Sequence, residues 1–300
     1  METRKIGSLD VTVVGLGCNN FGGRLDQEGT ARVLDAALDH GVTFWDTADL
    51  YGGTQSETLM GNLIGDRRDR IVLATKFGHP SGPTPNGAKP EELRKALDAS
   101  LQRLQTDRID LYQIHTPNAE VPIAETLGTL NDLVKEGKIV EIGNSNFNVA
   151  QLEEAEQATV GARFVSVQNE YSLFKRDDEK DVLPACERLG IAYIPFFPLA
   201  SGLLTGKYRK GQAHPEGTRI KEDSNALTEE KLEAVERLIA WAGDHGKTIL
   251  ELAFAYLLGE KAVASVIAGA TKPEQVAANA AAAGWVLTAD ERKEVAALIG

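Results

Sequence analysis

A chain of 300 residues with 42% hydrophobic and 25% charged side chains carries enough apolar material for a sizeable core, which excludes disorder and collagen-like repeats. Lys and Arg total 32 against 44 Asp and Glu, a formal charge of −12 with a pI near 5.0, and that field repels phosphate backbones and anionic membranes. Nucleic acid and membrane are therefore not expected partners, and an anionic ligand needs a local pocket of Lys, backbone N–H groups and helix N-termini. The two cysteines, Cys18 and Cys186, lack CxxC spacing and suit neither a disulfide scaffold nor a metal site. With no signal peptide and no apolar run of membrane-spanning length, the expected location is the cytoplasm. The surface composition suits a monomer and a multimer equally.

In chain order, short β-branched or apolar runs recur at Val11–Leu16, Val42–Trp45, Ile71–Ala74, Ile109–Ile114, Lys138–Ile142, Phe164–Val167, Ile191–Phe197 and Ala262–Ile267. Between them lie segments of helical period, Gly29–His40, Pro90–Leu104, Ile123–Lys135, Val149–Gln157 and Asp178–Leu189. Pro90 with Glu91 and Glu92 suits a helix start, and Gly137, Gly190 and Gly246 suit helix ends. Strand and helix alternate through eight units, which predicts an α/β fold, a single-domain (β/α)8 TIM barrel over residues 1–300. A doubly wound sheet would show fewer repeats and a GxGxxG turn, and none occurs. The long connection Ser201–Thr228, after strand seven, has no periodicity and reads as a lid or binding loop. Asn225 or Thr228 then starts a helix running to His245, and Thr288 with Glu291 forms a capping box for an added C-terminal helix.

In such a barrel the reactive groups sit at the C-terminal strand ends. Asp46 and Tyr51 follow strand two, Lys76 ends strand three, and His115 follows strand four. Each alone reads as a cap or a solvated group, but the four on adjacent ends make a proton-donating system. A buried Lys76 ammonium would lower the pKa of the Tyr51 phenol, Asp46 would balance the ammonium, and His115 could hydrogen-bond a carbonyl or share the proton. His40, His79, His214 and His245 show no HxxH or HExxH pairing, so no metal is expected.

At these residues the chain resembles the aldo-keto reductase superfamily over nearly its full length. The stretches that carry the likeness are Gly41–Ala48 with Tyr51-Gly52 and Ser56-Glu57, Ala74–Gly78, Asp110–His115, Gly143–Phe147, Phe197–Lys207 and Ile267–Gln275 through Asn279. The resemblance implies an enzyme that binds NADP(H) without a Rossmann fold and reduces small-molecule aldehydes or ketones to alcohols, with Asp46, Tyr51, Lys76 and His115 as its tetrad and Tyr51 as general acid. It places Ser145, Asn146 and Gln168 on the nicotinamide carboxamide and Phe196, where the family usually has Tyr, against the nicotinamide ring. Phe197, Pro198, Leu199, Ser201, Gly202, Leu204, Gly206 and Lys207 fall in the pyrophosphate segment, and Gly269, Thr271, Lys272, Gln275 and Asn279 in the adenosine-phosphate segment. Gln275 stands where an Arg is often found, so NADPH is the expected cofactor with NADH as an alternative. Asn144 and Asn118 depart from the usual apolar and acidic residues without touching the tetrad.

Gly17, Cys18 and Asn19 would line the nicotinamide and substrate side, with an inert core thiol as the other reading of Cys18. Asn20, Phe21, Tyr51, Phe77 and His115 would meet the substrate, with His79 at the mouth, which suits small aldehydes, α-dicarbonyls or sugar-derived carbonyls. Two other readings stand beside the reductase. One is an NADP(H)-binding regulatory or redox-sensing module with little turnover. The other is aldol or isomerase chemistry through a Lys76 Schiff base, which needs a lysine free of a carboxylate partner.

Overall fold

The computed structural model describes residues 1–299 except 86, 222, 223, 225 and 226. The chain opens with an antiparallel hairpin, β1 (Thr3–Ile6) and β2 (Leu9–Thr12), that no periodicity in the sequence marks. The expected strand Val11–Leu16 is in fact divided between this hairpin and the first barrel strand, β3 (Val14–Gly17). Thr12 makes the division, because its hydroxyl donates to the Val14 carbonyl at 2.8 Å and accepts the Thr43 and Phe44 amides at 3.2 and 3.3 Å. These bonds satisfy backbone groups where the chain leaves one ladder for another.

The barrel strands follow as β4 (Phe44–Asp46), β5 (Val72–Phe77), β6 (Ile109–Ile114), β7 (Ile139–Ser145), β8 (Phe164–Glu170), β9 (Ala192–Phe196) and β10 (Val266–Gly269). All eight neighbours pair in parallel in the order β10-β3-β4-β5-β6-β7-β8-β9. The remaining seam is bridged at Tyr193, whose amide donates to the Ala262 carbonyl at 2.7 Å and whose carbonyl accepts the Ala264 amide at 3.0 Å. The single-domain (β/α)8 expectation therefore holds.

Outside the barrel lie α1 (Gln27–Asp39), α2 (Gln55–Ile64), α3 (Pro90–Leu104), α4 (Ile123–Lys135), α5 (Val149–Gln157), α6 (Val182–Leu189), α7 (Glu229–Asp244), α8 (Ile249–Leu258), α9 (Pro273–Ala281) and α10 (Ala289–Ala297). Helix α6 is shorter than the expected Asp178–Leu189, since Asp181 caps it and a 3-10 turn, Asp177–Glu179, precedes it. Thr228 caps α7 through the Lys231 amide, while the alternative start, Asn225, lies outside the described residues. The capping box of Thr288 and Glu291 forms as expected. The connection after β9 is not wholly irregular: Ala200–Thr205 is a 3-10 turn.

Two cores result. The larger lies between barrel and helices, and the smaller fills the barrel interior with Phe44, Ala74, Leu111, Ile194, Ala264 and Ile267. Ile6 and Val11 of the hairpin, both fully buried, close that interior at its N-terminal end. Arg4 ties the hairpin down through the Val263 carbonyl at 2.6 Å, and the Ser8 amide donates to Glu141 Oε1 at 2.7 Å. The floor is sealed by apolar side chains, so the open end of the barrel is the C-terminal one.

Candidate active site

Asp46 ends β4 and Lys76 lies one residue before the end of β5, so the parallel register brings both side chains to the open end. Lys76 is fully buried, and its Nζ donates to Asp46 Oδ2 at 2.5 Å, to the Thr47 carbonyl at 2.8 Å and to the Tyr51 hydroxyl at 3.4 Å. Burial works against its charge, but Asp46 and then Tyr51 outweigh it and hold the amine above its ordinary value. The other Asp46 oxygen, Oδ1, accepts from Gln113 Nε2 at 3.1 Å and Gln168 Nε2 at 3.0 Å. A buried ion pair is tolerable when its remaining lone pairs are satisfied in this way. Gln113, on β6, is a site residue the sequence reading missed, although it lies within the stretch Asp110–His115.

Tyr51 sits on the turn beyond Asp46. The next residue, Gly52, has φ +59°, and a Cβ there would stand 2.6 Å from the Phe21 carbonyl oxygen, so only glycine lets this turn press against the loop after β3. Lys76 Nζ is 5.1 Å from the phenol ring centroid. Lys76 lowers the phenol pKa as expected, but a larger influence opposes it. Burial pushes it above its ordinary value, and the pull of Lys76 offsets this only in part. The phenol is thus a group that keeps its proton at neutral pH, with an ammonium in place to steady the phenolate once the proton leaves.

His115 packs edge-on to Tyr51, ring centroids 6.0 Å apart, and to His79 at 4.9 Å. Burial first, then Lys76 and His79, push its pKa down to about 2, so the imidazole is neutral. Its Nδ1 is buried without a hydrogen-bond partner among the described residues. A neutral ring suits hydrogen bonding to a ligand and does not suit sharing a proton.

These groups open into a cavity of about 650 Å³, in the range of cofactor and substrate sites. Gly17, Asn19, Asn20, Tyr51, His115, Ser145, Asn146, Gln168 and Phe196 line it, as expected. Ser145 Oγ donates to the Gln168 carbonyl at 2.7 Å, and Asn146, at φ +63°, donates from Nδ2 to the His115 carbonyl at 2.9 Å. Phe197, Pro198, Leu199, Ser201, Gly202 and Lys207 line a second wall. Gly202 has φ +98°, and a Cβ on it would meet Lys207 Nζ at 2.8 Å, so the lysine is held directly over the backbone of this arm. Gly269, Thr271, Gln275 and Asn279 complete the far end, where Gln275 Oε1 accepts the Thr271 amide at 2.7 Å.

Six of the residues expected to meet cofactor or substrate are not among those lining the cavity. Cys18 is fully buried with Sγ directed to the Leu16 carbonyl, and burial and then Asp46 raise its thiol pKa well above normal, so it is an inert core thiol. Phe21, Phe77 and Leu204 also lie fully in the core, Phe77 stacked on Tyr112 at 4.5 Å. Gly206 closes the 3-10 turn at φ +81°, and Lys272, at the N-cap of α9, is exposed. Conversely, Arg24, Leu50, Thr205 and Arg219 also line the cavity; Thr205 and Arg219 fall within the connection expected to be a binding loop, though no pattern singles them out, and Arg24 and Leu50 stand in loops with no periodicity to mark them.

A sealed barrel with a buried lysine, carboxylate and phenol at its open end defines a class of α/β-barrel enzymes. The model of the Aldo/keto reductase family matches residues 13–299. The chain is 33% identical to the aldo-keto reductase YhdN of Bacillus subtilis, over 96% of this chain and 89% of that one. It is 34% identical to a probable voltage-gated potassium channel subunit beta of Arabidopsis thaliana, over 93% and 90%. The solved structure of a glycerol dehydrogenase from Gluconobacter oxydans superposes with a TM-score of 0.86 at 30% identity, covering 99% of this chain and 94% of that one. The chain belongs to the aldo/keto reductase family and, with it, to the oxidoreductases. No described helix is long and apolar enough to cross a membrane.

Proposed function

We propose that the protein is an NADP(H)-dependent carbonyl reductase in which Tyr51 is the general acid. The observation that carries this reading is the Lys76 ammonium, 3.4 Å from the Tyr51 hydroxyl and backed by Asp46 at 2.5 Å. A nicotinamide dinucleotide fits the residues present. Ser145, Asn146 and Gln168 offer polar groups for a carboxamide, Phe196 offers a ring face, and the Ser201–Lys207 arm offers backbone amides and a cation for a diphosphate. Thr271, Gln275 and Asn279 would take the adenosine end, with NADPH preferred and NADH an alternative. Lys272, exposed at the N-cap of α9 beside Thr271, would supply the cation for an adenosine phosphate there.

When bound, the reduced nicotinamide supplies the hydride equivalent that the carbonyl carbon receives. The protein supplies the rest: Tyr51 Oη gives its proton to the carbonyl oxygen, Lys76 steadies the phenolate left behind, and neutral His115 orients the oxygen by a hydrogen bond. Asp46, held by the two glutamines, fixes the ammonium. Three partners on Lys76 Nζ argue against Schiff-base chemistry, which needs an uncommitted amine.

The test is NADPH consumption, followed by absorbance, with para-nitrobenzaldehyde, beside NADH and beside Tyr51→Phe. Turnover should fall by about 10²-fold or more in Tyr51→Phe while NADPH binding persists. The similarity to potassium channel beta subunits favours a second reading, a cofactor-binding regulatory module. Tight NADPH binding without turnover on any reactive carbonyl would select it.

A further inference from the structure

Three rings that line the cavity touch in sequence: Tyr51 and His115, with centroids 6.0 Å apart, then His115 and His79, 4.9 Å apart. The proton-donating scheme uses only the first two. His79 is half-buried on the loop after β5, and its Nδ1 accepts the Ser81 amide at 3.1 Å. That bond puts the ring proton on Nε2, and no described residue accepts from this nitrogen.

The loop that carries His79 is pinned to the stretch that bears Tyr51. The Gly82 amide donates to the His79 carbonyl at 2.8 Å, the Gly87 amide to the Thr84 carbonyl at 2.9 Å, and Thr84 Oγ1 to Asp49 Oδ2 at 3.0 Å. The Asp49 amide donates in turn to the Lys76 carbonyl at 3.1 Å. The ring is therefore placed by backbone and by a buried carboxylate, with one N–H to spare.

Counting donors shows what that N–H is for. A carbonyl oxygen has two lone pairs, and the Tyr51 hydroxyl and neutral His115 occupy both. A plain aldehyde then leaves the third donor unmatched, whereas an oxygen on the adjacent carbon satisfies it. Imidazoles 4.9 Å apart are close enough to hold oxygens borne on neighbouring carbons. A ring with one nitrogen accepting and the other donating is an uncharged donor, which suits a hydroxyl or a second carbonyl.

We propose that His79 determines substrate specificity by donating from Nε2 to an uncharged oxygen on the carbon next to the reacting carbonyl. The inference rests on the reductase reading and names its substrate class, α-hydroxy carbonyls and α-dicarbonyls. The second hydrogen bond fixes rotation of the substrate about its carbonyl as well as holding it.

The experiment compares three aldehydes of three carbons each, methylglyoxal, lactaldehyde and propanal, in the parent, His79→Phe and His79→Gln. The parent should prefer methylglyoxal, lactaldehyde or both over propanal, and which one responds distinguishes the second carbonyl from the hydroxyl. In His79→Phe that preference should fall about tenfold, chiefly through KM, and His79→Gln, which keeps an N–H donor, should recover part of it. No preference in the parent overturns the proposal. So does an equal loss of kcat/KM for all three aldehydes, or an equal loss of preference in the Phe and Gln variants, since either assigns His79 to packing against His115.

A second readout needs no turnover. The chain has five histidines, so the ring signals are resolvable by NMR, and that of His79 is the one missing from His79→Phe. In protein with NADP+ added, hydroxyacetone should shift this signal and butan-2-one, of the same size, should not. Absence of a shift, or equal shifts, overturns the proposal. A selective shift without reduction of any carbonyl keeps the site and removes the reductase reading instead.

Discussion

Gln113 donates to the Asp46 oxygen that Lys76 leaves free, 3.1 Å from Nε2 to Oδ1. The ammonium is therefore positioned from behind as well as from the front. Gln113→Leu, close in volume, strips that donor and leaves Gln168 alone on Oδ1. Stability in urea should fall by about 2 kcal/mol, the scale of a buried hydrogen bond to a charged group. kcat should fall several-fold because Lys76 loses a fixed counterion. Unchanged denaturation midpoint and kcat would show that Asp46 needs only one glutamine.

Lys76→Met removes the cation and leaves the Asp46 carboxylate buried. Breaking one side of a buried pair costs about 3–5 kcal/mol, so the variant should unfold at markedly lower denaturant, with turnover lost as well. Calorimetric or urea unfolding at pH 7 checks the first effect.

Asp49 lies between Asp46 and Tyr51 in sequence, buried, with Thr84 Oγ1 donating to Oδ2 at 3.0 Å and Oδ1 lacking a partner among the described residues. Burial and then the Glu57 charge raise its carboxyl from 3.8 to about 6. Between those values the folded chain keeps a proton that the unfolded chain has released. The contribution of Asp49 is thus full below about pH 4 and is lost as the pH rises through 6. Asp49→Asn cannot ionise, so relative to the parent it should gain on the order of 2 kcal/mol between pH 4 and pH 8. A stability difference identical at both pH values would remove Asp49 as the titrating group.

Ile6→Ala opens the sealed end of the barrel beside Phe44 and Leu111. A fully buried isoleucine cut to alanine costs about 2–5 kcal/mol. Cofactor affinity should stay at the parent level, measured by fluorescence titration well below the melting temperature.

Much of this molecule is legible in its sequence because a barrel repeats one local pattern. β-Branched runs and amphipathic helices mark seven of the eight barrel strands and the helices α1, α3, α4 and α5 to within a few residues. Helix α8 escapes because its residues from Leu252 to Leu258 are all buried, leaving no polar face to set a period. The hairpin escapes because its strands have only four residues each, with Lys5 and Asp10 exposed and the charged Arg4 on the same face as Ile6. At the site, Asp46, Tyr51, Lys76 and His115 are legible because strand ends fix them. Cys18 and Leu204 sit beside true lining residues, yet their side chains turn into the core. Arg24 and Arg219 are set by how two loops meet, which no local pattern records.

The hairpin floor separates two kinds of work. Below it, side chains hold the vessel shut; above it, loops choose what enters. Substitutions that strengthen the floor can therefore raise thermal tolerance without retuning the chemistry, and the loops at the mouth can be rewritten for a new carbonyl while the vessel beneath them stays the same.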